Sequence, residues 1–446
     1  MTDRKIIYST RCWFEGILQP ATVICENGLI TDVVPYQLIN AENVGDDVLM
    51  PGIIDAHVHI NEPGRTHWEG FETATQAAAA GGITSVIDMP LNASPVTTSA
   101  AALQKKIAAA VNKLNVNVGF YGGLIPGNQS ELEALIKEGV LGIKCFLTHS
   151  GIDEFPNVGE ADLDKAMPII AKYGIPLLAH CELFEEEEAH ALSKFPGSYP
   201  EYLASRPKKW ENDAVDLMIK LCRRHHCPIH IVHVSSAEAL QSIAKAKQEG
   251  LPITAETCAH YIYFNAEQIP DHHTIYKCAP PIREESNNRL LKEALKTGIL
   301  DFITTDHSPA PPDIKQIDTG NFLTGWGGIA GLQFLLPASW SALKETISLE
   351  KFIPLLTSRP AQFLKIADRK GKIQVGYDAD LVVWRPEEKQ EITSGRTLHR
   401  HKISPYIGLQ LHGIVLQTIL SGATVYNNEH VIEELKKGRT ILNKHL

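Results

Sequence analysis

The chain has 446 residues, which is too long for one small domain and fits a large domain together with a smaller module. Apolar residues make up 44% of the chain and charged residues 21%, which are ordinary values for a globular protein with a sizeable core. The formal net charge is −10 and no run of basic residues stands out, so nucleic acid and anionic membrane surfaces are poor candidate partners.

Targeting segments and disulfides are not indicated by the sequence. The chain enters a strand-like segment at Ile6-Ile7-Tyr8 without the apolar core of a signal peptide, and it has no stretch of about 18 apolar residues that would cross a membrane. We interpret the cysteines, which form no Cys-x-x-Cys pair, as reduced and mostly buried thiols in a cytoplasmic protein. The glutamates at 185–188 are expected to form a solvated helix face. The eight cysteines are Cys12, Cys25, Cys145, Cys181, Cys222, Cys227, Cys258 and Cys278.

The first 50 residues have the pattern of short strands joined by turns. The segments 21–25 and 29–34 flank Asn27-Gly28, a combination that predicts a β-hairpin. Strand-like segments also occur in the tail, at 381–384, 415–420 and 424–426. We therefore expect residues 1–50 and 370–446 to form one small composite β-sandwich domain.

Between these ends, short apolar runs alternate with helical patterns. Eight runs occur, at 53–59, 84–89, 116–121, 142–146, 176–180, 229–234, 253–257 and 302–306. Segments with the 3.6-residue apolar spacing of helices lie at 101–110, 161–172, 211–224 and 237–249. This α/β alternation predicts a parallel (β/α)8 barrel over residues 51–369. A doubly wound sheet would show the same alternation, so the count alone leaves both architectures open.

Five of the eight runs contain residue types that bind metal ions. Strands of a parallel barrel are buried on both faces and are expected to be almost entirely apolar. The exceptions lie toward the C-terminal ends of the runs, which is where the active sites of barrels assemble. They are His57, His59, Lys144, His180, His233 and Asp306.

The histidines point to a metal site by their number and placement. Residues i and i+2 of a strand face the same side, so the imidazoles of His57 and His59 can reach one ion. That pair alone fits an ordinary packed or surface role equally well, but His180 and His233 each close a further run. Asp306 adds a carboxylate that can bind a metal and accept a proton from water. Four imidazoles and a carboxylate suit Zn²⁺, Co²⁺ or Mn²⁺.

Lys144 is the unusual member of this set because an ammonium group is costly to bury. Its long side chain can extend the amine toward solvent, or the amine can pair with an aspartate. The residue pattern by itself does not decide between these roles and a chemically modified lysine.

These residues resemble the amidohydrolase superfamily, in the cyclic-amidohydrolase branch of dihydroorotases, hydantoinases, dihydropyrimidinases and allantoinases. The resemblance covers essentially the whole chain. It runs from 51–59, with the sequence Pro-Gly-Ile-Ile-Asp-Ala-His-Val-His, to 376–382, with the sequence Gly-Tyr-Asp-Ala-Asp-Leu-Val. The combination of motifs is specific, although no single motif is.

The resemblance implies a centre with two divalent metal ions, with zinc expected and cobalt or manganese as alternatives. His57 and His59 would bind the more buried ion with Asp306, and His180 and His233 would bind the second. Lys144 would be an N6-carboxylysine, a carbamate formed with CO₂, that bridges the two ions.

Within the branch, the chain resembles the allantoinases. Dihydroorotases carry an arginine two residues after the second histidine, where this chain has Asn61. A neutral side chain suits allantoin, an uncharged ureido-hydantoin. The tyrosine that hydantoinases place shortly after the bridging lysine is not evident in 146–151. The segments that carry this resemblance are 60–70, 89–92, 142–146, 306–312 and 326–333.

The implied reaction is hydrolysis of the cyclic amide of allantoin to allantoate, a step of purine degradation. Asp306 is the expected catalytic residue, which takes a proton from water and delivers it to the departing ring nitrogen. Related enzymes often have a serine where this chain has Ala279; alanine can replace a serine that acts through its backbone but not one that contacts the substrate through its hydroxyl. The expected substrate contacts are Asn61, Asn92, Gly327 and Gly328.

Three other functions remain open at this point. The first is a hydantoinase or dihydropyrimidinase acting on related cyclic ureides. The second is a catalytically inactive scaffold, which would be expected to lose metal ligands. The third is a mononuclear deaminase, in which Lys144 would have no role. The resemblance also implies a homotetramer.

Overall fold

The computed structural model describes residues 4–184, 194–428, 430–432 and 436–443. The glutamates at 185–188, predicted to form a solvated helix face, lie outside the described residues. The described chain forms a parallel barrel and a mixed sheet that contains strands from both ends of the sequence.

The N-terminal segment folds into the predicted hairpin and neighbouring strands. Asn27 and Gly28 have φ angles of 53° and 84°, the left-handed conformation that a two-residue hairpin turn requires. The strands are β1 (Arg4–Phe14), β2 (Ile17–Glu26), β3 (Leu29–Val34), β4 (Glu42–Asn43) and β5 (Val48–Pro51). β2 and β3 pair antiparallel across the turn, which confirms the hairpin.

The barrel wall follows the eight predicted apolar runs. Its strands are β6 (Ile53–Val58), β7 (Ile83–Asp88), β8 (Asn117–Phe120), β9 (Gly122–Gly123), β10 (Ile143–Phe146), β11 (Leu177–His180), β12 (Ile229–Ile231), β13 (Ile253–Cys258) and β14 (Phe302–Thr304). β8 lies in the run 116–121, and β9 begins one residue after that run ends at Tyr121. The His59 backbone N–H donates to the His307 carbonyl (2.8 Å), which joins the first strand to the last. A doubly wound sheet would leave these strands on separate edges, so the fold is the (β/α)8 barrel.

The helices between the strands bury one face each. In α4 (Glu160–Tyr173), the apolar positions Leu163, Met167 and Ile170 are buried at helical spacing, and Gly174 ends the helix with φ of 62°. The other helices in the first half are α1 (Phe71–Ala80), α2 (Ala100–Ala110), α3 (Leu132–Lys137), α5 (Tyr199–Ala204) and α6 (Lys208–His225). Those in the second half are α7 (Leu240–Gln248), α8 (Ala259–Tyr263), α9 (Glu285–Thr297), α10 (Leu335–Leu343), α11 (Leu349–Leu356) and α12 (Ser358–Phe363). All four predicted helical segments are helical, and the one at 237–249 begins with a 3₁₀ turn.

The second sheet combines the two ends of the chain. Its C-terminal strands are β15 (Leu381–Glu391), β16 (Gln410–Leu420), β17 (Ala423–Asn427) and β18 (His430–Val431). β15 pairs antiparallel with β5, and the sheet has the order β18-β17-β16-β15-β5-β1-β2-β3, with β4 beside β1. The domain limits at residues 50–51 and 369–370 remain a prediction.

The end of the tail lies elsewhere than expected. The strand β19 (Thr440–Ile441) pairs in parallel with β8 of the barrel, rather than with the small sheet that was predicted to include it. The Val118 backbone N–H donates to the Arg439 carbonyl (2.9 Å), and the Arg439 N–H donates to Asn117 Oδ1 (3.0 Å). Because this edge of β8 has backbone groups to satisfy, a short strand from the tail can pair there.

Within the described ranges, no helix has both the length and the apolar character needed to cross a membrane. The eight cysteines are all free and buried, as predicted.

Candidate active site

The six predicted metal ligands line one cavity at the C-terminal end of the barrel strands. The cavity has a volume of about 250 Å³. Lys144 lies within β10 rather than at its end, whereas His233 and Asp306 follow the ends of β12 and β14. The six residues are His57, His59, Lys144, His180, His233 and Asp306.

The first cluster in the cavity, called group A, consists of His57, His59 and Asp306. The Nε2 atoms of both histidines lie 3.2 Å from Asp306 Oδ1. These three side chains present ligand atoms close enough together to bind one ion. Burial would raise the pKa of Asp306, but the two imidazoles outweigh it and hold that pKa well below its usual value.

The second cluster, called group B, consists of His180 and His233. His180 Nδ1 lies 3.0 Å from His233 Nε2. The two groups are neighbours, since the ring centres of His57 and His233 are 5.4 Å apart. Burial lowers the pKa of His59 to about 4 and also lowers the pKa values of His180 and His233. Neutral imidazoles result, and this is the form that binds metal ions.

Lys144 faces both groups without an acceptor of its own. Its side chain is 0% exposed, and its Nζ has no hydrogen-bond partner among the residues that the structure describes. The Nζ lies 4.9 Å from the centre of the Phe146 ring. Burial lowers the pKa of Lys144 to about 8, an effect that the Asp306 carboxylate partly opposes.

The residues of the cavity fit a divalent metal centre. Four imidazoles and a carboxylate form a nitrogen and oxygen donor set of the kind that Zn²⁺ prefers. A buried lysine that lacks an acceptor, next to two clusters of facing ligand atoms, is costly unless another group is bound there. An oxygen ligand carried by Lys144 between the clusters would remove that cost.

Three residues of the cavity wall have left-handed backbones. The φ angles are 71° at Asn92, 40° at His233 and 45° at Asp306. Such conformations cost about 1 kcal/mol or more for non-glycine residues and concentrate at functional sites. The loops after the strands therefore hold these side chains in orientations that relaxed strands would not supply.

The predicted substrate contacts divide into two pairs. Asn92 and Gly327 line the cavity, but Asn61 and Gly328 do not. Asn61 is 0% exposed; its Nδ2 donates to the Pro309 carbonyl (3.4 Å), and its Oδ1 is buried without a partner among the described residues, so its contact with a substrate stays a prediction. A side chain at Gly328 would come within 2.3 Å of the Ser308 carbonyl, so this glycine is explained by packing.

The cavity also contains residues that the sequence analysis did not assign. Arg206 and Lys277 lie on its wall, although neither follows a barrel strand. Trp326 was noted as part of a motif, and its side chain also lines the cavity. Arg65, in contrast, points to the Asn92 carbonyl (3.2 Å) and Glu154 (2.7 Å).

Two buried glutamates behind the histidines were also missed. Glu256 lies in β13, so a charged residue inside a buried parallel strand was the signal that would have found it. Glu182 lies two residues after His180, where the strand has ended and the sequence gives no comparable signal.

Comparison with known proteins places this fold and site. The profile of the amidohydrolase family matches residues 48–425. The chain belongs to the amidohydrolase family. Within it, the chain is similar to the allantoinase of Streptomyces avermitilis, with 42% identity over 99% of both chains, and to that of Saccharomyces cerevisiae, with 39% identity over 98% of both chains.

Among solved structures, the chain is similar to an L-hydantoinase (dihydropyrimidinase) from Arthrobacter aurescens. The TM-score is 0.91 at 26% sequence identity, covering 98% of this chain and 99% of that one. The barrel and the composite sheet therefore match a cyclic-amide hydrolase over their whole extent, and the chain is a cyclic amidohydrolase.

Proposed function

We propose that this protein hydrolyses the cyclic amide bond of allantoin to give allantoate. The observation that carries the proposal is a single cavity in which groups A and B face a buried Lys144. The allantoinases named above, similar over nearly their full length, support allantoin as the substrate.

Groups A and B would each hold one divalent ion, with zinc as our choice and cobalt or manganese as substitutes. When bound, the ions supply a water of lowered pKa and polarise the ring carbonyl. Lys144 would be carboxylated by CO₂, which converts a costly buried ammonium into an anionic oxygen ligand shared by both groups. The donor set and the missing acceptor at Lys144 support this assignment.

Asp306 would carry the proton in the reaction. Its Oδ1 lies between the two histidines of group A, and its carboxylate lines the cavity. Hydrolysis adds the water oxygen to the ring carbonyl carbon as the C–N bond breaks. Asp306 accepts the proton that this water loses and delivers it to the departing ring nitrogen, which leaves allantoate with a new carboxylate.

The ureido arm of allantoin would be recognised by polar atoms of the cavity wall. Asn92 Oδ1 can accept a hydrogen bond and Trp326 Nε1 can donate one, and both are buried without partners among the described residues. The arm offers amide donors and a carbonyl acceptor, which complement these two atoms. Gly327 and Ala279 line the same cavity and offer backbone groups.

A turnover panel tests the proposal. The substrates are allantoin, hydantoin, dihydrouracil and dihydroorotate, each measured with added Zn²⁺, Co²⁺ or Mn²⁺. We expect kcat/KM to be highest for allantoin and lower for hydantoin, which lacks the ureido arm.

Dihydroorotate should be disfavoured because its carboxylate finds no uncommitted arginine on the described part of the wall. Arg206 makes two contacts with Glu182, while Lys277 donates to the Gly325 carbonyl (2.5 Å). Burial also lowers the pKa of Lys277 to about 7. Loss of a charge-assisted hydrogen bond, worth about 1.5–3 kcal/mol, corresponds to about a ten- to hundredfold lower kcat/KM.

The panel also separates the alternative. The structural similarity to an L-hydantoinase favours hydantoinase activity as the second candidate function. If kcat/KM for hydantoin equals that for allantoin, the ureido arm is not recognised and hydantoinase activity is supported. If kcat/KM for dihydroorotate equals that for allantoin, the substrate assignment is contradicted but the metal centre is not.

Two further properties belong to this proposal. We place the protein in the cytoplasm, a choice that the eight free, buried cysteines support. We also propose a homotetramer, as the family resemblance implies, and light scattering of the purified protein would measure its mass directly.

A further inference from the structure

Each histidine group is backed by one buried glutamate. His57 Nδ1 donates to Glu256 Oε1 (2.6 Å), and His180 Nε2 donates to Glu182 Oε2 (2.7 Å). Both glutamates are at most 1% exposed. In each case the contact is made by the ring nitrogen that faces away from the other ligands of the group.

These contacts determine which nitrogen of each histidine is left for a metal. A neutral imidazole carries one N–H, and a carboxylate can only accept, so the proton is held on the nitrogen that faces the glutamate. His57 is left with a lone pair on Nε2, which faces Asp306 at 3.2 Å. His180 is left with a lone pair on Nδ1, which faces His233 at 3.0 Å.

The two glutamates are themselves fixed by different partners. Glu256 Oε2 accepts from His230 Nε2 (3.1 Å), and the other nitrogen of His230 lies 2.7 Å from the Thr254 hydroxyl. Glu182 accepts from Arg206 Nε (3.0 Å) and Nη2 (2.5 Å). A buried carboxylate needs such partners to stay ionised, and here they also fix its position.

In the described part of the chain, no carboxylate contacts the outward-facing ring nitrogen of the other histidine of each group. His59 Nδ1 lies 3.4 Å from the amide nitrogen of Asn92, and His233 Nδ1 lacks a hydrogen-bond partner within the described ranges. Each group therefore contains one histidine oriented by a carboxylate, and the two orienting carboxylates do not contact each other's histidine.

We propose that Glu256 and Glu182 are positioning residues that act separately, Glu256 on the ion held by group A and Glu182 on the ion held by group B. This inference rests on the metal centre proposed above. Loss of a carboxylate behind a metal-binding histidine typically weakens metal affinity by about 10- to 100-fold. The assignment therefore predicts two single substitutions, each of which weakens a different metal position.

The experiment uses the full chain, stripped of metal and titrated with Zn²⁺ in the presence of bicarbonate and a competing chromophoric chelator. The wild type should bind two ions per chain. Glu256→Gln and Glu182→Gln should each weaken one of the two binding steps by about 10- to 100-fold. Crystals grown at limiting zinc then identify the position, because anomalous scattering should fall beside His57 in Glu256→Gln and beside His180 in Glu182→Gln.

A matched control removes a buried, ion-paired carboxylate elsewhere. Asp380 is 6% exposed and pairs with Lys370 (2.5 Å) next to the start of β6, away from the cavity. Asp380→Asn should leave both zinc affinities unchanged. Thermal unfolding of each metal-free variant shows whether it is folded. If a glutamine variant does not fold, Glu256→Asp or Glu182→Asp, which keeps the charge, is used in its place.

The outcomes separate the two proposals. A wild type that binds no divalent ion overturns the metal centre and this inference with it. A wild type that binds two ions, with both variants unchanged or both positions weakened equally by either substitution, overturns only the assignment of one glutamate to each position.

Discussion

Asp306 combines two features that are unusual for one carboxylate. Its Oδ1 is equidistant from the two histidines of group A, and its backbone has a φ of 45°. The strained backbone directs the side chain into the cavity instead of along the strand that precedes it. A carboxylate held in this way can bind a metal and still accept a proton.

Substitution of Asp306 by asparagine tests the proton-transfer role. Asparagine keeps the size of the side chain but cannot accept the proton, so kcat for allantoin should fall by about two orders of magnitude or more. Steady-state kinetics measure this effect. Asp164→Asn is the control, because Asp164 pairs with Arg224 (2.7 Å) on an exposed helix surface, and its kcat should match the wild type. Activity of Asp306→Asn within a few-fold of wild type would refute the assignment.

Carboxylation of Lys144 can be observed directly. Protein reconstituted with zinc and ¹³C-bicarbonate should show one carbamate ¹³C resonance per chain. Lys144→Met should lack this resonance and bind less zinc, because the shared oxygen ligand is lost. Fully active wild-type enzyme without the resonance would contradict the modification.

At the scale of elements, a buried group of one lysine and two aspartates lies where the composite sheet meets the barrel. Lys370 is 4% exposed and pairs with Asp378 (2.8 Å) and Asp380 (2.5 Å). The Asp380 carbonyl in turn accepts from the Gly52 N–H (2.8 Å), at the entrance to β6. This junction therefore couples the composite sheet to the first strand of the barrel.

Replacing Lys370 by methionine should destabilise the protein in a pH-dependent way. Breaking a buried pair by removing one partner costs about 3 kcal/mol or more. Burial disfavours the charged forms of both groups, but the attraction between the opposite charges outweighs this effect. The pKa of Asp378 is therefore lowered and that of Lys370 is raised. The pair contributes fully to the free energy of unfolding between about pH 4 and pH 10, which are the ordinary pKa values of an aspartate and a lysine. It is lost as pH falls through the lowered pKa of Asp378 or rises through the raised pKa of Lys370.

Denaturant unfolding at several pH values measures this contribution. The difference in unfolding free energy between wild type and Lys370→Met should be largest near neutral pH and should narrow below about pH 4. The control is Arg369→Met, which removes a half-exposed partner of the same Asp378 (2.8 Å) and should cost less than about 1 kcal/mol. A difference that is equal at pH 7 and pH 3 would show that the pair is not its source.

At the scale of the whole molecule, the cavity is a product of segments distant in sequence. Its wall takes residues from the first barrel strand at His57, from the helical region at Arg206 and from the late loop at Trp326. Lys315 fixes that loop, since its buried amine donates to the carbonyls of Trp326 (3.1 Å) and Gly328 (2.6 Å). Metal ions held by groups A and B would tie together the strands β6 and β11 and the loops that follow β12 and β14.

Removing the metal should therefore lower the stability of the whole barrel. At a free zinc concentration 100 times Kd, each bound ion contributes about 2.7 kcal/mol to unfolding. Dialysis against a strong chelator should lower Tm, and added zinc should restore it, as measured by differential scanning calorimetry. The double variant His57→Ala/His180→Ala should have the same Tm with and without zinc. An unchanged Tm in the wild type would contradict preferential binding of zinc to the folded barrel.

The sequence by itself determined the eight strand segments and the six candidate ligands, whereas the contact between His59 and His307 decided between a barrel and a doubly wound sheet. Short, nearly continuous apolar runs are typical of parallel strands that are buried on both faces. A polar residue within such a run is costly to bury and therefore indicates a function. This reasoning applied to His57, Lys144 and Asp306, and it applied equally to Glu256, which was overlooked.

Only the tertiary structure decided which residues line the cavity wall and where the tail lies. Asn61 lies three residues after the end of β6, yet its amide nitrogen is turned to the Pro309 carbonyl, while Arg206 enters from a distant loop. β19 is two residues long, too short for its pattern to indicate that it pairs with β8 rather than with the composite sheet. Periodicity reports whether a residue is buried within its own element, whereas these contacts depend on how separate elements are arranged in space.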